Sequence, residues 1–237
     1  MNIVVICETV SRLDRFGYEI EHMYKLLSKK HQCMVYATSH DCPDIVYIDR
    51  PGLEKALSNT RTAVIYYHTR AWNEGFALLK KAKAVPIIRY LGITPKEYYT
   101  GYDDRRYCDS LLGRAQTGEI QALHPDALWL CASHSVARDL KDVSRDRIVV
   151  CPPFSEVEER YDGVLPDEYV LRELIEATTF NLLYDGSISP ECGIMQMLDI
   201  LAVYRDIYNS DIVLRLLNSR EEECRNYHEA VRRRIVE

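Results

Sequence analysis

Apolar runs of strand length alternate along the chain with stretches whose apolar residues recur every three or four positions. This rhythm predicts a parallel β-sheet with helices on both faces, because strands buried on two sides read as continuous apolar runs joined by crossover helices. The first run is Ile3 to Cys7. A loop with Ser11, Arg12, Arg15 and Gly17 follows, and then Ile20, Met23, Leu26 and Leu27 fall at helical spacing. Cys33 to Ala37 predicts a second strand, Ile45 to Ile48 a short third, and residues 51–57 a helix. Ala63 to Tyr67 is a further strand, Trp72 to Lys83 suits a helix, and Val85 to Tyr90 a strand. Residues 91–107 predict a tyrosine-rich loop, followed by a helix from Tyr107 to Leu123. Leu128 to Ala132 and Ile148 to Cys151 are the last strands of this unit, with a helix from Ser135 to Lys141 between them.

The stretch after Cys151 changes character. Pro152, Pro153, Gly163 and Pro166 precede a helical LRELIEA segment, which predicts an interdomain connection. A new strand opens at Asn181 (NLLYDG), then come a helix over Ile194 to Tyr208, a strand over Ile212 to Leu217, and a helical pattern to Glu237 without a stop signal. The expected organisation is an α/β domain over residues 1–152, a connection over 153–180, and an incomplete second α/β domain over 181–237.

Composition narrows the function classes. A hydrophobic content of 47% supports an ordinary core, and 28% charged residues with mixed signs argue against disorder. The net charge of −6 gives no support to nucleic acid as a ligand, since binders of a phosphate backbone carry a basic excess. No apolar run approaches the roughly 20 residues of a transmembrane helix. The start, MNIVVICETV, reads as a buried strand and not as a leader peptide. Eight cysteines without a CxxC pair read as reduced core thiols, which predicts a cytoplasmic protein.

Two nucleotide motifs are absent. The turn after the first run, ETVSRLDRFGYE, has one glycine where a dinucleotide fold needs GxGxxG, and no Walker A sequence occurs. Gly17 has two readings of equal standing: a tight turn into the following helix, or a place where helix amides meet an anion or a sugar hydroxyl. His68 follows the strand AVIYY, at a carboxyl end where α/β sheets bind ligands, and an imidazole there could donate a hydrogen bond or transfer a proton. A structural histidine is the competing account. Asp103 and Asp104 in YDDRRY fit a solvated, self-paired loop better than a metal site, so no metal ligand is expected. The tyrosines at 98, 99, 102 and 107 either line a sugar or lipid surface or pack their loop against the domain.

At RYLGITPKEYYTGYD (Arg89 to Asp103) the chain resembles the family-4 retaining glycosyltransferases of GT-B fold, whose corresponding segment reads YHNITP followed by an aromatic pair and GYD. Further segments agree in order: AVIYYH, LCASHSVARDL, IVVCPP, NLLYDGSISPECGI and IVLRLLN. The chain departs from the family at Leu91 and Gly92, where His-Asn is usual. It also has Ser187 and Cys192 where the donor motif carries arginine and lysine, the cations that neutralise a sugar-nucleotide diphosphate.

The resemblance implies a Rossmann-like acceptor domain followed by the start of a donor domain. It implies transfer of a sugar from a nucleotide-sugar to a saccharide or lipid-linked acceptor with retention, in polysaccharide or glycan biosynthesis, with no cofactor and no essential metal. On it His68 lies near the reacting sugar, Gly17 near the donor phosphate or acceptor, Thr94 and Tyr98 form the acceptor wall, and Gly186 and Ser187 are donor contacts. Arg15 is the candidate cation for the leaving diphosphate. The lost donor cations keep two other readings open, a non-catalytic binding or scaffold subunit, and one half of a split enzyme whose partner chain supplies the donor lobe. No nucleic-acid partner is expected.

Overall fold

A computed structural model describes residues 1–12, 15–153, 163–208, 211–217 and 224–236, with the side chain of Arg15 outside that description. By their internal contacts the residues form two compact units, 1–93 with 109–160, and 94–108 with 161–237.

The first unit is built on a six-stranded sheet: β1 (Asn2–Val10), β2 (Gln32–His40), β3 (Thr62–His68), β4 (Ile87–Tyr90), β5 (Leu128–Cys131) and β6 (Ile148–Val150). The strand order is β2-β1-β3-β4-β5-β6 and every pairing is parallel, as the apolar runs predicted. Strand pleating sorts the side chains into two cores. Val4, Ile6, Val64, Tyr66, Ile88, Tyr90 and Trp129 face one side, beneath α2 (Arg50–Leu57), α3 (Asn73–Leu79), α4 (Asp104–Leu123) and α5 (His134–Ala137). Ile3, Val5, Cys7, Ile65 and Tyr67 face the other, beneath α1 (Arg15–Ser28). Each fully buried large apolar side chain contributes roughly 1.5–3 kcal/mol.

Several expectations shift in detail. In α1 the buried stripe is Ile20, Met23 and Leu27, while Leu26 turns to solvent at 46% exposure. The run Ile45 to Ile48 forms no strand; Tyr47 makes a single parallel bridge to Val35 and its ring stacks on His40 at 3.6 Å. The helix expected over Ser135 to Lys141 is one turn, capped by Ser133, whose hydroxyl accepts from the Val136 amide. Beyond that turn the Asp139 carboxylate accepts hydrogen bonds from Tyr90 Oη at 3.0 Å and Arg114 Nη2 at 2.9 Å. Gly17 lies in the first turn of α1 and not ahead of it. A Cβ there would collide with the Ser11 carbonyl oxygen, so the glycine lets Ser11 lie directly on the helix.

The second unit has β7 (Phe180–Asp185) and β8 (Ile212–Leu217), paired in parallel, with α6 (Glu168–Glu176), α7 (Ile194–Tyr208) and α8 (Arg225–Val236). Its core gathers Tyr99, Ile194, Cys224, Tyr227 and Val231, with Tyr102, Tyr107 and Tyr184 packed against them. Packing therefore accounts for three of the four loop tyrosines, and Tyr98 is the exposed one at 50%. Asp103 takes the α4 N-terminus, its carboxylate accepting from the Arg106 amide at 3.0 Å.

A buried ion pair crosses the interior of the first unit. Arg89 of β4 and Glu19 of α1 are each 2% exposed, and Nε donates to Glu19 Oε1 at 2.6 Å. Arg89 Nη1 also donates to the carbonyls of Leu130 and Cys151, at 3.2 and 2.6 Å. Removing one partner of such a pair strands a charge in the core, whereas removing both leaves a better-matched apolar interior. Glu19→Met and Arg89→Met, each alone, should lower stability by about 3–5 kcal/mol in urea unfolding. The double variant should recover most of that loss; additive losses would refute the coupling.

Candidate functional site

The carboxyl ends of parallel strands leave loop residues pointing into a shared crevice. Here the ends of β1 and β3 and the start of α1 border a shallow cleft that is open to solvent. Cys7, Ile20 and Tyr67 form its buried apolar floor, and Glu8, Thr9, Phe16, Thr69 and Arg70 its walls. The β1–α1 loop is anchored across the sheet end: Asp41 accepts hydrogen bonds from Ser11 Oγ and the Arg12 amide, both at 2.8 Å. Those donors hold the Asp41 carboxyl below its usual pKa. The floor is tied to the buried ion pair, since Tyr67 Oη reaches Glu19 Oε1 at 3.5 Å.

Glu8 and Arg70 were not among the residues singled out from sequence. Glu8 directly follows the apolar run VVIC and Arg70 comes three residues after AVIYY, and that position near a strand end was the available signal. Arg70 Nε lies 3.2 Å from Glu8 Oε2.

His68 closes β3 in register with Tyr90 and is fully buried. Pleating sends residues 64, 66 and 68 to the α4 side of the sheet, so the imidazole lies among Tyr66 and Tyr90, with ring centroids 6.3 and 5.7 Å away. Thr117 of α4 donates its hydroxyl to the Gly113 carbonyl at 3.0 Å and so accepts from His68 Nε2–H at 2.8 Å. This arrangement selects the Nε2–H tautomer, and Nδ1 is buried without a hydrogen-bond partner. Burial lowers the pKa to about 4, so the ring is neutral at physiological pH.

The remaining sequence candidates are dispersed. Gly17 lies at the crevice's helix, and the Arg15 side chain falls outside the described residues. Thr94 and Tyr98 belong to the second unit, as do Gly186 and Ser187 in the turn after β7. Gly186 has φ +155°, and a Cβ there would meet the Tyr184 hydroxyl at 2.9 Å, so this turn requires glycine. Tyr184 Oη donates to the Ser187 carbonyl at 2.8 Å, which pins the turn over its own strand. Cys192 lies on the same segment, its Sγ 3.3 Å from Ser189 Oγ. Arg106 lies beside that segment, 3.8 Å from Glu191 and 3.8 Å from Asp103.

The histidine has a measurable signature. Because its folded pKa of about 4 lies below the unfolded value of 6.5, the unfolded chain binds the extra proton first. Stability is whole above pH 6.5 and is lost as pH falls towards 4, by about 3 kcal/mol in full. Urea midpoints measured from pH 7 to 4.5 should fall steeply for the native chain and less for His68→Phe. Equal slopes would remove His68 as the cause.

No protein-family model matches the chain, and no curated protein matches it in sequence. Among solved structures the chain is similar to WaaG, a glycosyltransferase involved in lipopolysaccharide biosynthesis. The two share 11% identity at a TM-score of 0.56, over 98% of this chain and 68% of WaaG. At that identity the likeness is one of fold: the chain has the Rossmann-like α/β architecture of a GT-B glycosyltransferase.

Proposed function

We propose that the protein is a glycosyltransferase that moves a sugar from a nucleotide-sugar donor to a saccharide or lipid-linked acceptor, with retention, in the building of a polysaccharide or glycan. The observation that carries this reading is the architecture, a six-stranded parallel sheet followed by a second α/β unit, matched to a glycosyltransferase over nearly the whole chain. Retention and the absence of an essential metal rest on the sequence resemblance. In this reading Gly186 and Ser187 contact the donor, Thr94 and Tyr98 the acceptor, and Arg15 and Gly17 the end of α1 nearest the leaving group. His68, buried and neutral, acts by holding the end of β3 in place, since no atom of its ring is exposed to exchange a proton with substrate. Thiols set in apolar surroundings favour a cytoplasmic setting, and among the described residues no helix is long and apolar enough to cross a membrane.

A second reading has its own support. Where the resemblance calls for two cations, the turn after β7 has an exposed serine and Cys192, and Arg106 is engaged by Asp103 and Glu191. The same unit leaves Tyr169 and Ile175 of α6, Leu183 of β7 and Ile207 of α7 between 66 and 77% exposed. A binding or scaffold subunit, or one completed by a partner chain that supplies a donor lobe, fits both features.

Thermal unfolding with millimolar UDP, GDP and their common sugar conjugates separates the two. A donor-using enzyme should gain several degrees from one nucleotide, and Ser187→Ala should reduce the gain. No gain with any nucleotide would sink the enzymatic reading for this chain and leave the subunit reading standing.

A further inference from the structure

We propose that Tyr184 is the positioning residue of the turn after β7. It orients the peptide between Ser187 and Ile188 so that the Ile188 amide and the Ser187 hydroxyl, both uncharged, take a phosphate oxygen of the nucleotide-sugar. This inference rests on the glycosyltransferase reading, which puts Gly186 and Ser187 at the nucleotide-sugar, and it names how that contact is made. Tyr184 stands in register with Leu216 of β8, and both pack against the core of the second unit. From there its hydroxyl donates to the Ser187 carbonyl at 2.8 Å, and the amide of the buried Ser189 donates to the same oxygen at 3.1 Å. The carbonyl is thereby turned towards the tyrosine. No peptide bond of the chain is cis, and in a trans peptide the N–H points opposite to the C=O. The Ile188 N–H therefore faces away from Tyr184, and among the described residues it donates to no group. Ser187 beside it is exposed. Glycine at 186 leaves the phenol its place, since a Cβ there would stand 2.9 Å from the hydroxyl.

The energetics favour a role in binding. A hydrogen bond from a hydroxyl to an exposed turn carbonyl adds little to folding, because water replaces it when the turn opens. What the bond removes is the freedom of one peptide plane, an ordering cost that a ligand would otherwise meet on binding. That matters most where charge is missing. Ser187 and Cys192 stand where the resemblance calls for cations, and a cation attracts a phosphate over a distance whatever its exact orientation. A peptide N–H and a hydroxyl hold a phosphate oxygen only when they are aimed at it beforehand.

The test compares the native chain with Tyr184→Phe, which keeps the ring and removes the hydroxyl. Both are titrated calorimetrically with UDP, GDP and their common sugar conjugates, and amide hydrogen exchange is followed with and without the tightest of these. The variant should melt at nearly the native temperature and bind the nucleotide roughly tenfold more weakly. Bound nucleotide should slow exchange of the Ile188 amide in the native chain and much less in Tyr184→Phe. Equal affinity in the two chains overturns the assignment of Tyr184. So does native binding that leaves exchange at Ile188 unchanged, and in both cases the glycosyltransferase reading stands. If Tyr184→Phe fails to fold, exchange at Ile188 in the native chain decides alone. A native chain that binds no nucleotide at all removes the enzymatic reading and this inference with it.

Discussion

The first unit is organised around a charge that has no access to water. Arg89 enters from the middle of an otherwise apolar strand, and desolvating a guanidinium is costly unless its donors are answered, as Nε and Nη1 are here while Nη2 is buried without a partner. Glu19 answers from α1, and the carbonyls of Leu130 and Cys151 answer from β5 and from the residue after β6. The ion pair thereby ties α1 to the middle of the sheet. Tyr67, whose hydroxyl touches the same carboxylate, passes that constraint to the crevice floor. The site's shape is thus set by a polar contact beneath it, and dispersion contacts fill in around that contact.

Strand positions were readable because burial on both faces is written as an uninterrupted apolar run, and Ala63 to Tyr67 or Ile3 to Cys7 needed no other information. The same rule overreached at Ile45 to Ile48, where the run packs into the core without a full strand partner. Helical periodicity placed Ile20, Met23 and Leu27 correctly and could not separate Leu27 from its neighbour Leu26, which lies just past the edge of the stripe. Arg89 was legible as a residue and illegible as a structural centre, since its partner lies 70 positions away and nothing local marks the pairing.

Site residues show the same limit. Sequence placed His68 at the carboxyl end of a strand, which is where it lies, but the direction of its ring depends on pleat parity across the sheet. The even positions of β3 face α4, and so the histidine joins an aromatic cluster while the next two residues, Thr69 and Arg70, take the crevice wall. Gly17 reads from sequence either as a tight turn or as a place where helix amides meet a ligand. The structure adds a carbonyl of Ser11 lying where its side chain would begin, a tertiary contact that no turn rule contains.

The strand order β2-β1-β3-β4-β5-β6 has a consequence for how the unit is made. Each strand from β2 onward joins an outer edge of the sheet already present; none has to be inserted between two strands that are already paired. Such a sheet can be laid down in the order of synthesis, amino terminus first, with most pairings made between segments close in sequence. Arg89 then waits with its guanidinium half answered until Cys151 arrives, so the hydrogen bond to that carbonyl marks the moment at which the growing sheet is complete.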